Sequence, residues 1–184
     1  MKFQFRKHQL SGIYLTIFFL VFACQQKHQT PTFAQVLTYK QHLVSINKLV
    51  VEHLADSIRR ENELKRMNLK QSKTGLWYKI YHVGKGDSAK SNLVATLSYR
   101  VYLFNGKLCY STDTSGPKNI VIGRSGMETG LEEGILLMRV GDSAQFILPP
   151  HLAHGLLGDQ KKIPRMAIIT YNVILQGIQK LEDE

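Results

Sequence analysis

The most reactive side chains lie in the second half of the 184-residue chain, and their spacing completes no familiar reactive site. His151 and His154 supply two potential metal ligands, but no cysteine pair or nearby carboxylate completes a zinc set. Cys109 paired with His154 would resemble a thiol catalyst, although a strand cysteine in apolar company is usually a small hydrophobic residue. We therefore predict no metal and no cofactor.

Two other patterns have ordinary structural explanations. Glu132 and Glu133 resemble an acid/base pair, but neighbouring residues of a helix point about 100° apart. One of them is expected to support the start of a helix and the other to face solvent. The four glycines between residues 123 and 134 lack the lysine of a phosphate-binding loop, so we interpret them as turn residues.

A long helical segment is predicted before residue 73. Residues 33–70 contain no glycine or proline, and apolar residues recur at steps of three and four. We assign residues 33–72 to this segment. Its apolar stripe either packs on the following domain or pairs with its copy in a homodimer through residues 33–70. The stripe consists of Leu43, Ile46, Val50, Leu54 and Ile58.

Residues 73–180 have a different rhythm, with short alternating apolar runs separated by turn signals. Residues 94–104 and 166–176 alternate most clearly, and Asn105-Gly106 is a strong hairpin signal. Residues 130–138 are the one helical piece. The pattern predicts an α+β domain in which a five-stranded antiparallel sheet is half-wrapped around one short helix.

Several sequence fragments in this domain have a familiar order. The most specific are Gly130–Gly134 (GLEEG), Met138–Gly141 (MRVG) and Ala144–Pro149 (AQFILP). Together they resemble the FK506-binding-protein family of peptidyl-prolyl cis–trans isomerases over about residues 74–180. The flanking fragments that support the resemblance are Tyr99 in LSYRVYLFNGK, Ile122-Gly123, His154-Gly155 and Ile163-Pro164.

The resemblance implies an apolar pocket that binds proline. Tyr99 and Tyr171 correspond to its catalytic aromatic residues, and both also fall on the predicted inward faces of strands. Without the family, a core tyrosine is the simpler interpretation of each. Glu128 occupies the position whose backbone N–H holds the substrate carbonyl, whatever its side chain. The substrate-binding set that the resemblance implies is Cys109, Tyr110, Met127, Glu128, Leu131, His154 and Ile163.

Four positions depart from the family pattern. Cys109 and Tyr110 stand where the family usually has Phe-Asp, Leu131 replaces a tryptophan of the pocket floor, and His154 replaces a loop tyrosine. The change to Tyr110 removes a carboxylate acceptor near the twisted amide. Together the departures imply either a working pocket with altered preference or a weak catalyst that mainly holds peptides.

The N-terminal sequence predicts export. Residues 1–23 have a basic start and an apolar run of about a dozen residues, which suits a removed signal better than a membrane span. The following segment, VFAC, resembles a bacterial lipobox and predicts lipidation of Cys24. The alternatives are an ordinary cleavage site and a disulfide between Cys24 and Cys109. Residues 24–32 form a polar tether, and residues 181–184 an acidic tail.

The distribution of charged residues argues against nucleic-acid binding. The formal net charge is +10, yet the basic residues do not form a stripe interleaved with aromatics. The family resemblance and the lipobox together imply a membrane-tethered prolyl isomerase at the periplasmic face of a bacterial outer membrane, acting on proline-containing unfolded exported polypeptides. Lipobox and helix together resemble lipid-anchored members from Bacteroidetes-type bacteria, including a gliding-motility-associated isomerase. The alternative is a non-catalytic scaffold lipoprotein of a gliding-type envelope machine.

Overall fold

The computed structural model describes residues 32–181. The predicted signal, Cys24, residues 25–31 of the tether and residues 182–184 of the tail lie outside the described residues. The chain divides into two compact units, one ending at Val44 and one beginning at Ser45. The boundary falls inside the first described helix, α1, which spans Phe33–Leu64.

The described part of the first unit is the beginning of α1. Its large apolar side chains are exposed, and between residues 32 and 181 no helix is long and apolar enough to cross a membrane. The side chains of Leu43 and Ile46, which belong to the predicted stripe, lie outside those described. The exposed apolar residues of this part are Phe33, Val36, Leu37, Tyr39 and Val44.

The prediction that the helix reaches residue 70 or 72 is wrong, because α1 ends at Leu64. Arg66 and Asn68 adopt positive φ angles of 49° and 56°, which a right-handed helix does not allow. The Asn62 side chain then fastens the chain that leaves the helix, since its Oδ1 accepts the Leu69 N–H at 2.9 Å. Asparagine tolerates the left-handed conformation better than most residues, which makes Asn68 a usable stop signal.

The domain contains seven strands rather than the predicted five. The sheet order is β1-β2-β6-β7-β3-β4, with β5 also paired to β3, and every pairing is antiparallel. A second helix, α2, spans Thr129–Leu136, and a 3₁₀ turn spans Pro150–Leu152. The strands are β1 Lys70–Gln71, β2 Trp77–His82, β3 Leu93–Leu103, β4 Leu108–Ser111, β5 Lys118–Val121, β6 Ser143–Leu148 and β7 Ile169–Lys180.

The α+β class is confirmed, with the main core between the sheet and α2. Phe146 is fully buried there, and a Cβ on Gly134 would lie 2.7 Å from its ring. A Cβ on Gly130 would similarly lie 2.7 Å from Leu148. Gly130 and Gly134 are therefore not turn residues as predicted. They let α2 approach the sheet closely, whereas Gly123 has the positive φ of a turn.

A second, smaller cluster covers the opposite side of β6. Ile147 alternates with Phe146 along the strand and packs instead with Ile58 of α1, which is completely buried. Leu54 and Ile58 of the predicted apolar stripe therefore pack on the domain, one of the two predicted alternatives. The buried members of this cluster are Ile58, Leu69, Trp77, Ile147 and Ile168.

Candidate functional site

Two tyrosines predicted for the pocket lie side by side on neighbouring strands. Tyr99 is in β3 and Tyr171 in β7, and these strands pair along most of their length. The ring centroids are 5.7 Å apart, with the planes tilted by 59°. Tyr171 is only 2% exposed, while Tyr99 is half-buried. Within residues 32–181 the Tyr99 hydroxyl makes no hydrogen bond, which leaves its O–H group available to a ligand.

The aliphatic floor of the site comes from α2 and the loop before β7. Leu131, in the first turn of α2, is completely buried, and Ile163 is 2% exposed. Both belong to the main core that also contains Tyr171. Cys109 is a free thiol, 2% exposed in the same core, with Sγ 3.7 Å from the Lys162 carbonyl oxygen. Cys109 is therefore as inaccessible to solvent in this structure as Ile163 and Tyr171.

The backbone N–H of Glu128 is held ready for a partner. Glu128 is the N-cap of α2, with extended angles of φ −62° and ψ 136°, and its carbonyl accepts the N–H of Leu131. No hydrogen bond within the described residues uses the Glu128 N–H. Glu132 fixes the preceding loop, because its Oε1 accepts the Ser125 N–H at 3.1 Å. This arrangement supports the predicted role of the Glu128 N–H as a donor to a substrate carbonyl.

The Glu128 side chain also lies in the site, which sequence reasoning did not anticipate. One carboxylate oxygen accepts the Tyr171 hydroxyl at 2.9 Å, and the other lies 2.7 Å from His154 Nε2. The carboxylate side chain is only 9% exposed. Burial, reinforced by the nearby Glu128 charge, raises the pKa of Tyr171 well above its ordinary value and raises that of Tyr99. Both phenols are therefore protonated at neutral pH and can donate hydrogen bonds.

The Tyr110 hydroxyl is hydrogen-bonded to a carboxylate from a distant part of the sequence. It donates to Asp159, whose other oxygen accepts the backbone N–H of Lys161 and of Ile163 at 2.8 Å each. Partial burial opposes ionisation of Asp159, but these hydrogen bonds outweigh it and lower the pKa to about 2. A carboxylate from the loop before β7 thus lies beside Tyr110, which stands where the family usually has an aspartate. Sequence reasoning missed Asp159. Its Asx-like position two residues before Lys161 was the available signal.

Other predicted groups are separated by the fold. His151 Nε2 lies 2.9 Å from the Thr74 carbonyl, whereas His154 contacts Glu128. Glu133 accepts the Thr74 hydroxyl at 2.6 Å, so it does not act together with Glu132. Between residues 32 and 181 no three His, Cys, Asp or Glu side chains converge in a way that could hold a metal ion.

Two residues predicted for the pocket are closed off in this structure. Leu131 and Tyr171 are almost inaccessible to solvent, and the Tyr171 hydroxyl is bonded to Glu128, whose other carboxylate oxygen contacts His154. Met127 is half-buried and packs against the same core. A proline ring can reach Leu131 and Tyr171 only if neighbouring side chains move. The site is therefore a cluster of aromatic and aliphatic side chains with a buried carboxylate bonded to one of its rings.

Fold and site together define a domain of the FKBP class. Residues 85–176 match the family described as FKBP-type peptidyl-prolyl cis-trans isomerase. The chain belongs to this family.

Similar proteins carry the same family name. A probable FKBP-type peptidyl-prolyl cis-trans isomerase of Haemophilus influenzae is 29% identical over 137 residues, covering 71% of this chain and 56% of that protein. FkpA of Escherichia coli strain K12 is 28% identical over 120 residues, covering 65% of this chain and 44% of FkpA. The chain thus matches about half the length of these relatives.

Solved structures confirm the fold. AtFKBP13 superposes with a TM-score of 0.58 at 26% identity, covering 61% of this chain and 99% of that chain. The crystal structure of FkpA from Escherichia coli superposes with the same TM-score at 22% identity. It covers 97% of this chain and 84% of FkpA, and it shows likeness of fold alone.

Proposed function

We propose that the chain is a membrane-tethered peptidyl-prolyl cis–trans isomerase that assists the folding of exported proteins. The observation that supports the chemistry is the Tyr99–Tyr171 ring pair beside buried Leu131, next to the Glu128 N–H, which has no hydrogen-bond partner among the described residues. Its substrates are proline-containing unfolded or nascent polypeptides.

Prolyl isomerisation requires an apolar environment and no reactive group. Rotation about an X–Pro bond meets a barrier of about 18–20 kcal/mol because it destroys amide resonance. The twisted amide is less dipolar than the planar one, so a dry aromatic pocket favours the transition state over the ground state. The Glu128 N–H positions a peptide carbonyl, and the Tyr99 hydroxyl is free to donate to the twisting peptide.

Replacement of Tyr99 by alanine tests this mechanism. We expect Tyr99→Ala to lower kcat/KM for a proline tetrapeptide at least tenfold, since it opens the pocket to water and removes a donor. Tyr81→Ala is the matched control, because Tyr81 is 56% exposed in β2. Prolyl isomerisation of the peptide is the measurement. An unchanged rate in Tyr99→Ala would place the active pocket elsewhere.

One observation favours a second candidate function. Leu131 and Tyr171 are almost completely buried, and Tyr171 is bonded to the Glu128 carboxylate that also contacts His154, which obstructs a proline ring. A scaffold or peptide-binding lipoprotein of a gliding-type envelope machine would need no access to them. The two functions are separated by assaying a proline tetrapeptide and a proline-limited refolding protein. Peptide binding without acceleration of either reaction would favour the scaffold.

Tethering rests on the sequence VFAC and on the apolar run before it. Cys24 carries the lipid in this proposal, and the chain faces the periplasm from the outer membrane, as in the lipid-anchored Bacteroidetes-type members it resembles. Mass spectrometry of the mature protein should show an acylated Cys24. Cys24→Ser should move the protein from the membrane to the soluble fraction, and a fully membrane-bound variant would contradict the anchor.

Dimerisation through residues 33–70 is the remaining part of the proposal. It is supported by the exposed apolar residues of α1, including Leu37 (43% exposed) and Leu49 (65% exposed). Sedimentation should give a dimer mass for the wild type and a monomer mass for the double variant Leu37→Glu, Leu49→Glu. Gln41→Glu, an exposed position on the same helix, should remain dimeric. A monomeric wild type would refute the dimer.

A further inference from the structure

The Glu128 carboxylate has no task in the isomerisation described above, although it lies in the pocket. We propose that Glu128 is a specificity-determining residue that favours substrates with lysine or arginine next to the proline. This inference rests on the proposed isomerase function and names the substrate class of the same site.

Position is the first argument. The donor to the substrate carbonyl and the carboxylate belong to the same residue, so a peptide held by the Glu128 N–H has its neighbouring side chains within reach of the carboxylate. Contacts of 2.9 Å to the Tyr171 hydroxyl and 2.7 Å to His154 Nε2 hold the carboxylate over the pocket. It cannot turn to solvent without losing both.

Burial is the second argument. With 9% exposure, the carboxylate is poorly screened by water, and a bound peptide excludes more of it. A carboxylate offers about four acceptor positions, and Tyr171 and His154 use two of them. An ammonium or guanidinium group beside the proline would take up the remaining positions, whereas a second carboxylate would be repelled.

The other charged groups around the pocket do not cancel this preference. His154 Nε2 lies 2.7 Å from one carboxylate oxygen of Glu128 and takes one of its acceptor positions. Asp159 has the same sign, and its low pKa keeps it ionised. Lys118 contacts Met127 Sδ at 3.7 Å and Lys162 lies 5.0 Å from the Tyr110 ring centroid, but both lysines are exposed and screened.

The test uses proline tetrapeptides with lysine, leucine or glutamate before the proline, and a second series with the same residues after it. At low salt, kcat/KM of the wild type for the lysine peptide should exceed that for the glutamate peptide by about tenfold in at least one series. About 1 M salt should reduce the ratio to about threefold or less. A purely steric role would not respond to salt.

Variants test whether the preference for lysine over glutamate peptides comes from the Glu128 charge. Glu128→Gln keeps the size of the side chain and should bring the ratio close to one. Glu52→Gln removes the same charge from an exposed position on α1 and should keep the wild-type ratio. Glu128→Met replaces Glu128→Gln if circular dichroism shows that the latter is unfolded. A ratio unchanged by the loss of the Glu128 charge would overturn the inference.

Failure of this inference can be distinguished from failure of the proposed function. Acceleration of the leucine peptide with a wild-type lysine-to-glutamate ratio near one in both series overturns the specificity and leaves the isomerase standing. If no peptide is accelerated, the isomerase is refuted. Calorimetric titration of the same peptides then measures the affinity for the lysine peptide relative to the glutamate peptide. About tenfold tighter binding of the lysine peptide would support the inference, and equal binding would overturn it.

Discussion

The two faces of β6 are covered by different helices and differ in what they bury. On the face of Phe146 lie α2 and the pocket, where Tyr171 and His154 share the Glu128 carboxylate. On the face of Ile147 lies α1, and its cluster is aliphatic apart from one tryptophan. Buried polar groups cost stability unless they are paired. The pocket face therefore buries polar groups that are paired, whereas the buried polar atom that lacks a partner among the described residues, the Trp77 indole nitrogen, lies on the other face.

The largest effect that would test this contrast is expected on the face of α1. Ile58→Ala should lower the free energy of unfolding by about 2–4 kcal/mol, because it leaves a cavity in a dry cluster. Urea denaturation is the measurement, and kcat/KM of the folded variant should stay within twofold. Arg60→Ala, at an exposed position of the same helix, should change stability by less than about 0.5 kcal/mol. Equal losses would mean that α1 does not depend on this contact.

A smaller effect is expected on the pocket face. Tyr171→Phe keeps the ring but removes one of two donors to a buried carboxylate, so we expect a loss of about 1–2 kcal/mol. Tyr99→Phe is the matched control, since the Tyr99 hydroxyl has no partner in the described part of the chain, and it should cost less than about 0.5 kcal/mol. Both values come from urea denaturation. If the two variants lose the same stability, the Glu128 contact does not hold the pocket together.

The smallest effect concerns the rim of the pocket at low pH. The pKa of Asp159 is lowered to about 2 in the folded chain, so its contribution is complete above about pH 4 and is lost as the pH falls towards 2. Tyr110→Phe removes one donor and should make stability less dependent on pH in that window, by less than about 1 kcal/mol because solvent screens the pair. Denaturation at pH 5 and pH 2 measures the difference. Tyr99→Phe should keep the wild-type dependence of unfolding free energy on pH. The same wild-type dependence in Tyr110→Phe would contradict the role of the Tyr110 hydroxyl as a donor to Asp159.

Local features of the sequence were sufficient for much of the fold. Alternation in residues 94–104 and 166–176 predicted two strands, and Asn105-Gly106 predicted the hairpin, where Gly106 has a φ of 87°. These signals depend on neighbouring residues only. The two-residue strand Lys70–Gln71 was missed because both residues are polar and exposed and show no alternation.

The polar part of the site could not be predicted in the same way. Glu128 and Tyr171 are 43 residues apart in sequence, and Tyr110 and Asp159 are 49 apart. No periodicity connects such pairs, because strand order and loop path bring them together. Family resemblance supplied the ring positions Tyr99 and Tyr171, but it treated Glu128 as a backbone donor alone.

Trp77 is the only tryptophan of the chain, and it lies in the cluster under α1, away from the pocket. Its indole N–H is buried without a hydrogen-bond partner among the described residues. Its intrinsic fluorescence is therefore a built-in reporter of the contact between α1 and the sheet. Emission should shift to longer wavelength when water enters that cluster, and a ligand that fills the pocket alone should leave the spectrum unchanged.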